Sequence, residues 1–281
     1  MSNLNAVIFG ATGGIGQAVA HHFAAQGLNL ILVGRKQQAL QQLQDELSEQ
    51  YPQLQLHTMR CDLADAQSRD QFVQSIAALN QPIHYYINNA GMNDFSLFAQ
   101  QTVETIEQMM LVNVVYPLQL IQALLPYMSE SQPSQIINIG STFGSIGYPG
   151  YVSYCASKFA LRGATEALAR EYSKTAIQFR YFSPRATATP MNNSEVMEMN
   201  IKMGTKIDSP EFVAQELYQF LSQSGQSYQV GYLEKIFVKL NQVMPHVVAA
   251  SIQKDLDTIY HYADKSKKSS PLSYVAQSKK P

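Results

Sequence analysis

Tyr154 and Lys158, in the stretch Tyr154-Cys155-Ala156-Ser157-Lys158, place a phenol and an ammonium four residues apart. On a helix that spacing puts both side chains on one face, with Cβ atoms about 6 Å apart. A tyrosine with its ordinary pKa of about 10 is almost wholly protonated at neutral pH. A fixed cation beside it favours the phenolate. Such a group can protonate a developing alkoxide, or act as the base in the reverse reaction. The same pair also occurs on ordinary structural helices, so its meaning depends on what the chain brings to it.

Ser141 follows the apolar run Ile136–Ile139, and Asn88-Asn89-Ala90-Gly91 closes another, Ile83–Ile87. Near the start, Gly10-Ala11-Thr12-Gly13-Gly14-Ile15-Gly16 joins the apolar run Ala6–Phe9 to a helical pattern. Those glycines permit a tight turn and let backbone approach a pyrophosphate, while the helix N-terminus offers N–H groups and partial positive charge. Glycine-rich turns also arise for steric reasons, but strand, loop and helix stand here in the order a dinucleotide site requires. A site for NAD(H) usually follows with Asp or Glu about 20 residues on. This chain has Gly34-Arg35-Lys36 instead, which favours NADP(H) over NAD(H). Arg35 is the better partner for a 2′-phosphate, since its planar fork pairs with phosphate and stacks on adenine. The alternative is that Arg35 and Lys36 only begin a solvated helix.

The elements that must position these residues alternate along the chain. Strands are expected at Ala6–Phe9, Leu30–Val33, Leu54–Met59, Ile83–Ile87, Ile136–Ile139 and Ile177–Phe182, with a short last one at Tyr228–Val230. Helical patterns run over Gly14–Gln26, Gln37–Gln50, Asp65–Leu79, Val103–Ser129, Tyr151–Ser173 and Pro210–Ser222, with Pro117 expected to break or restart the fourth. Repeated β-α-β units mean parallel strands, right-handed crossovers and helices on both faces. The expectation is a Rossmann-type doubly wound α/β sheet over 1–230 whose ligands gather at the carboxyl ends of the strands. Ser183–Lys206 reads as a lid-like connection. A helical extension follows over 231–263, with Ile236, Leu240, Val243, Val247 and Ile252 near helical spacing and a kink at Pro245. Residues 264–281 read as a disordered basic tail.

Taken together, these residues resemble the short-chain dehydrogenase/reductase superfamily in its shorter, single-domain branch. The likeness covers about residues 4–230 and rests on the glycine loop, Asp62-Leu63, Asn88-Asn89-Ala90-Gly91, Asn113, Ser141, Tyr154…Lys158 and Pro184…Thr189. It implies Tyr154 as general acid/base and Ser141 as hydrogen-bond partner of a carbonyl oxygen. Lys158 would tune Tyr154 and bind the nicotinamide ribose, with Asn113 holding a water in a proton relay. Asp62, beside Leu63, would lie near the adenine amine, and Asn89, Ala90 and Gly91 would line the cofactor channel. Thr187 and Thr189 would touch the carboxamide and phosphate. The lesser alternatives are that Asn113 only caps or bridges a helix and that Asp62 only belongs to the N-cap region of the next one. The glycine spacing also fits the extended branch that includes sugar-nucleotide epimerases, against which chain length and the Asn88–Gly91 motif argue. The resemblance further implies a homodimer or homotetramer paired through the long helices.

The family pattern fails at Pro184-Arg185, where Pro-Gly is usual. Arg185 is expected either to border the active site, touching an anionic substrate group or the cofactor phosphates, or to point to solvent. Phe143, Tyr148, Tyr151 and the Met-rich stretch Met191–Met203 offer an apolar pocket suited to a long-chain or acyl ketone, although such residues also fill ordinary cores.

Composition sets the remaining bounds. With 281 residues, 20 Lys+Arg against 21 Asp+Glu and a net charge of -1, the chain has no basic bias toward nucleic acid. Cys61 and Cys155 lie in no paired motif, so neither a disulfide framework nor a zinc site is suggested, and a reducing, cytoplasmic setting is expected. The leading function is an oxidoreductase interconverting a ketone or aldehyde and an alcohol. An idle NADP-binding or redox-sensing protein is the alternative from another class. A peripheral membrane scaffold rests on the C-terminal extension alone.

Overall fold

The computed structural model describes residues 4–269. Its strands are β1 (Asn5–Phe9), β2 (Asn29–Gly34), β3 (Leu56–Arg60), β4 (Tyr85–Asn88), β5 (Ser134–Ile139), β6 (Ile177–Ser183) and β7 (Ser227–Gln229). They form one sheet in the order β3-β2-β1-β4-β5-β6-β7, every pair parallel. The order reverses between β1 and β4, so a crevice opens where Phe9 and Asn88 end those strands.

Alternation inside each strand feeds two cores. Ala6 and Ile8 of β1, Leu30 and Leu32 of β2, and Ile137 of β5 pack under α1 (Gly14–Ala25), α2 (Gln37–Gln50) and α8 (Pro210–Ser222). Their neighbours Val7, Phe9, Ile31, Val33 and Ile136 face the other way, against α3 (Ala66–Leu79) and α5 (Tyr116–Leu124). Burial on both faces is why these strands read as unbroken apolar runs.

Pro117 does not break the fourth helical pattern. A π-helical turn at Leu111–Val115 joins α4 (Val103–Met110) to α5, giving one run from Val103 to Tyr127. Pro117 sits in the first turn of α5, where the altered register leaves its missing N–H without cost. This run is long and apolar enough to cross a membrane by length and composition, yet its inner stripe of Met109, Asn113, Pro117, Leu120 and Leu124 is buried against the sheet.

Beyond β6 the structure differs from the expected loop. Asn193 caps α7 (Ser194–Lys202), its side chain accepting from Val196 N at 3.0 Å, and Val196 and Met199 are buried. They pack against Ile259 and Ala263 of α11 (Leu256–Ser269). That helix runs past the expected start of the tail at 264, and Ser266 is buried and accepts from Asn193 Nδ2 at 2.8 Å. The remainder of the expected tail, 270–281, lies outside the described residues.

The extension before α11 is α9 (Tyr232–Val243) and α10 (Pro245–Gln253). The backbone turns at Met244 and Pro245 starts α10, as the kink predicts. Its buried stripe is not the expected one. Val238 and Val248 are buried against Ile146, with Leu240 and Ile252 beside them, whereas Val243 is 79% exposed and Ile236 45%. The break at Met244 turns the second helix, so one phase cannot run through both.

A chain of buried amides ties the carboxyl ends of β4 and β5 to α6 (Val152–Glu171). Asn88 Nδ2 donates to Asn138 Oδ1 at 2.7 Å, Asn138 Nδ2 to Thr165 Oγ1 at 2.9 Å, and Thr165 Oγ1 to Leu161 O at 2.7 Å. Thr165→Val keeps the shape but strands the Asn138 donor, at a cost of about 1–3 kcal/mol. Urea unfolding should show a lower midpoint at unchanged slope, and an unmoved midpoint would mean the chain does not hold these elements.

Candidate functional site

Close approach explains the glycine loop. Gly10 has φ +80, and a Cβ there would meet Ala90 N at 3.0 Å. A Cβ on Gly16 would lie 2.1 Å from Gly10 O, and one on Gly14 would meet Thr189 Cγ2 at 2.8 Å. Gly13 is the N-cap of α1 and supplies no side-chain cap, so the first turn keeps amides for an anion. Thr12 lies against Gly34 at the end of β2, and Ile15 borders the central cavity. This cradle fits a dinucleotide: side chains at Gly10, Gly14 and Gly16 would force the loop away from Ala90, α1 and Thr189, and residues 10–16 carry no carboxylate.

At the β2 end Arg35 and Lys36 are exposed and in no ion pair among the described residues. Arg60, in register with Gly34 on β3, donates to Arg35 O at 3.4 Å and adds a third cation. Asp62 is half-buried, and its Oδ1 accepts from Ala64 N at 3.0 Å. The cap of α3 is Asp65, so Asp62 braces only the preceding turn. The Leu63 side chain is buried in the core.

The central cavity, about 230 Å³, lies over the carboxyl ends of β4, β5 and β6. Ile15, Asn89, Gly91, Ser141, Tyr154, Lys158, Pro184, Thr187 and Thr189 border it, together with Phe143, Tyr148 and Arg185. The rest of the glycine loop, Arg35, Asp62, Leu63, Ala90 and the Asn113 side chain do not. Asn89 Nδ2 also donates to Gly10 O at 3.3 Å, tying the β4 end to the loop.

Lys158 Nζ lies 5.7 Å from the Tyr154 ring centroid. The ammonium is 6% exposed and donates to Ile139 O at 2.9 Å, and burial pushes its pKa down to about 8. The phenol differs from the expectation. Burial pushes Tyr154 up to about 12, partly offset by a hydrogen bond with the Ser141 hydroxyl. Without a ligand, desolvation outweighs the acidifying effect expected of the neighbouring cation. Ser141 Oγ accepts from Phe143 N at 3.1 Å.

Asn113 sits in the π-helical turn and is buried. Its Oδ1 accepts from Met92 N at 2.8 Å, and its Nδ2 donates to Met92 O at 2.9 Å and Ser157 Oγ at 3.0 Å. The side chain is therefore a bridge clamping the segment after β4 to α6.

Arg185 does not point to solvent. Its side chain is 9% exposed and grips Asp208 at 2.7 and 2.9 Å and Glu234 of α9 at 3.0 Å. It borders the central cavity, as the first of the two expectations has it, and the partners it meets there are protein carboxylates. Thr187 is buried and its hydroxyl donates to Arg185 O at 2.9 Å.

Four positioning residues, Tyr181, Ser157, Asp208 and Glu234, are missed by the sequence reading. Tyr181 of β6 fills the space left by two glycines: a Cβ on Gly140 would lie 2.0 Å from its Cζ, and one on Gly144 2.1 Å from its hydroxyl. That hydroxyl accepts from Ser141 N and donates to Lys158 O, both at 3.3 Å. Ser157 links Asn113 to Tyr154 O, donating at 2.8 Å. Asp208 and Glu234 hold Arg185. The alternate glycines around Ser141 are the one hint that a large side chain approaches there.

The family model described as short chain dehydrogenase matches residues 4–200. The very-long-chain 3-oxooacyl-coA reductase of Caenorhabditis elegans is 31% identical over 66% of this chain and 60% of its own length. The fold is shared with a short-chain dehydrogenase from Sphingobium yanoikuyae solved with NADPH, at TM-score 0.74 and 23% identity over 88% of this chain and 95% of that one. It is shared too with a short chain dehydrogenase/reductase from Burkholderia phymatum solved with NAD, at TM-score 0.76 and 18% identity over 87% and 95%. With the cradle, the crevice and the Ser141–Tyr154–Lys158 cluster, these matches make the chain a member of the short-chain dehydrogenase/reductase family, an oxidoreductase of Rossmann-like fold.

Proposed function

We propose that the protein is an NADP(H)-dependent reductase of ketones or aldehydes, reversible to the alcohol, with an apolar or acyl-type substrate. The observation that carries this is the meeting of Ser141, Tyr154 and Lys158 on one cavity beside the glycine cradle. When bound, the nicotinamide supplies or accepts the hydride.

The chain's own residues do the rest. Ser141 Oγ accepts from Phe143 N, which leaves its hydroxyl proton, now shared with Tyr154, to turn to a carbonyl oxygen when one enters. Tyr154, protonated at neutral pH, gives the proton that converts the developing alkoxide to an alcohol. Lys158 has three donors and one goes to Ile139 O, leaving two for ribose hydroxyls. Asn113 acts by holding Met92 and Ser157, so its part is positioning. Arg35, with Arg60 beside it, would hold the 2′-phosphate of NADP(H), and the glycine loop would hold the pyrophosphate. The apolar preference draws support from the stacked pair Phe143–Tyr148 on the cavity wall, with ring centroids 4.8 Å apart. One relative is, by name, a very-long-chain 3-oxooacyl-coA reductase. Exposed Val115, Val152 and Phe159 on the α5 and α6 side support pairing into a homo-oligomer through those helices.

Tyr154→Phe should lower ketone-dependent loss of 340 nm absorbance by about 10²–10⁴-fold while NADPH still binds. An active Phe variant would remove Tyr154 from the chemistry. Replacing Arg35 by Ser should raise the KM for NADPH about tenfold, the loss expected for one charge-assisted contact, and leave NADH little changed. An equal effect on both cofactors would defeat the assignment. In pH profiles, reduction needs phenol and ammonium protonated, so it should hold at neutral pH and fall as Lys158 deprotonates above about 8. Alcohol oxidation needs the phenolate and should rise with pH through the neutral range, because Tyr154 starts high. Parallel profiles in the two directions would contradict the acid/base role.

A further inference from the structure

Beneath the C-terminal helices a second cavity, about 210 Å³, adjoins the catalytic one. Ile146, Leu233, Phe237 and Ile252 line it, and Phe143 and Tyr148 border both spaces. Its polar lining is already matched. Thr142 Oγ1 accepts from Gln229 at 2.8 Å, Glu234 holds Arg185, and the Tyr148 hydroxyl meets Met203 Sδ at 3.8 Å.

The pocket is open to the surface at one side, with Leu233 71% and Phe237 38% exposed, and an apolar lining of this kind gains by covering itself with an apolar molecule. With every polar group on its wall engaged, it offers an occupant only dispersion and apolar burial. Thr142 and Glu234 also border both spaces, and the aromatic part of the partition is the stacked pair Phe143 and Tyr148, inclined by 18°. A slender flexible chain passes such a pair more readily than a rigid fused-ring body.

We propose that this cavity is the tail site of the substrate. An unbranched aliphatic chain attached to the carbonyl at Tyr154 passes Phe143 and Tyr148 and lies against Ile146, Phe237 and Ile252. The proposal rests on the reductase reading above and adds the substrate class.

The test is a series of straight-chain methyl ketones from butanone to dodecanone with NADPH. Burying each methylene should raise kcat/KM about three- to fourfold until the space is filled. Ile252→Trp, which plugs the cavity, should lower kcat/KM for dodecanone at least tenfold relative to butanone. The chain has no tryptophan, so Phe237→Trp, at a residue 38% exposed, adds a lone indole without disturbing the core. Its emission should shift with dodecanone in the absence of cofactor and stay put with butanone.

A flat series from an enzyme that does reduce butanone would overturn the tail site and leave the reductase reading standing, as would equal losses for both ketones in Ile252→Trp. If no ketone is turned over, the reductase reading fails while the Phe237→Trp emission still decides whether a chain enters. A silent indole would then sink the tail site too.

Discussion

The site is organised around a buried ammonium that has no carboxylate. Lys158 is almost wholly enclosed, and among the described residues its hydrogen bond goes to the Ile139 carbonyl, with the Tyr154 ring centroid 5.7 Å away. Removing an ammonium from water costs several kcal/mol, and one carbonyl repays only part of it. The depressed pKa of about 8 expresses that imbalance. A carboxylate in the same place would restore the charge by occupying the ammonium's donors. With one donor on Ile139 O, the ammonium keeps donors for the cavity it borders, and the surrounding structure holds it there. Gly91 keeps the β4 end close: a Cβ there would come 3.7 Å from Nζ and 3.2 Å from Asn113 Oδ1.

Holding that arrangement falls to groups that never touch a substrate. Tyr181 hydrogen-bonds the backbone at Ser141 and at Lys158, so one phenol sets the distance between the loop after β5 and α6. Asn113 does the same on the other side by gripping both backbone groups of Met92. The π-helical turn that carries Asn113 also absorbs Pro117, so one irregularity in the helix serves the site and accommodates the proline.

The parts of this arrangement that are local in sequence were legible in it. The glycine loop, Tyr154 and Lys158 one helical turn apart, and Ser141 after an apolar run each lie within one element or its edge. Helices with clear periodicity, α2 and α8, fall where the pattern puts them, and Ser209 caps the second. What the pattern could not show depends on distant partners. Arg185 stood open between the edge of the active site and solvent, because nothing nearby in sequence fixes its partner. The structure provides Asp208 and Glu234, 23 and 49 residues on. Nor did the pattern show that the neighbouring ammonium would be outweighed at Tyr154, since burial is a property of the folded cleft.

Arg185 also explains why the two ends of the cleft belong to one device. Its bidentate grip on Asp208 fixes the connection between α7 and α8, and its third contact reaches Glu234 in the first turn of α9. Gly231, with φ +91, allows the chain to turn into α9 there, and a Cβ would lie 2.0 Å from Glu234 Oε2 and 2.6 Å from Arg185 Nη1. A glycine at 185, as is usual in this family, would leave Glu234 without that cation and the extension without its anchor. Arginine at 185, glycine at 231 and glutamate at 234 form one requirement: together they hang the C-terminal helices over the catalytic opening. The chemistry is thus set by short-range spacing in the Rossmann core, whereas the shape offered to a substrate is set by long-range contacts to the extension.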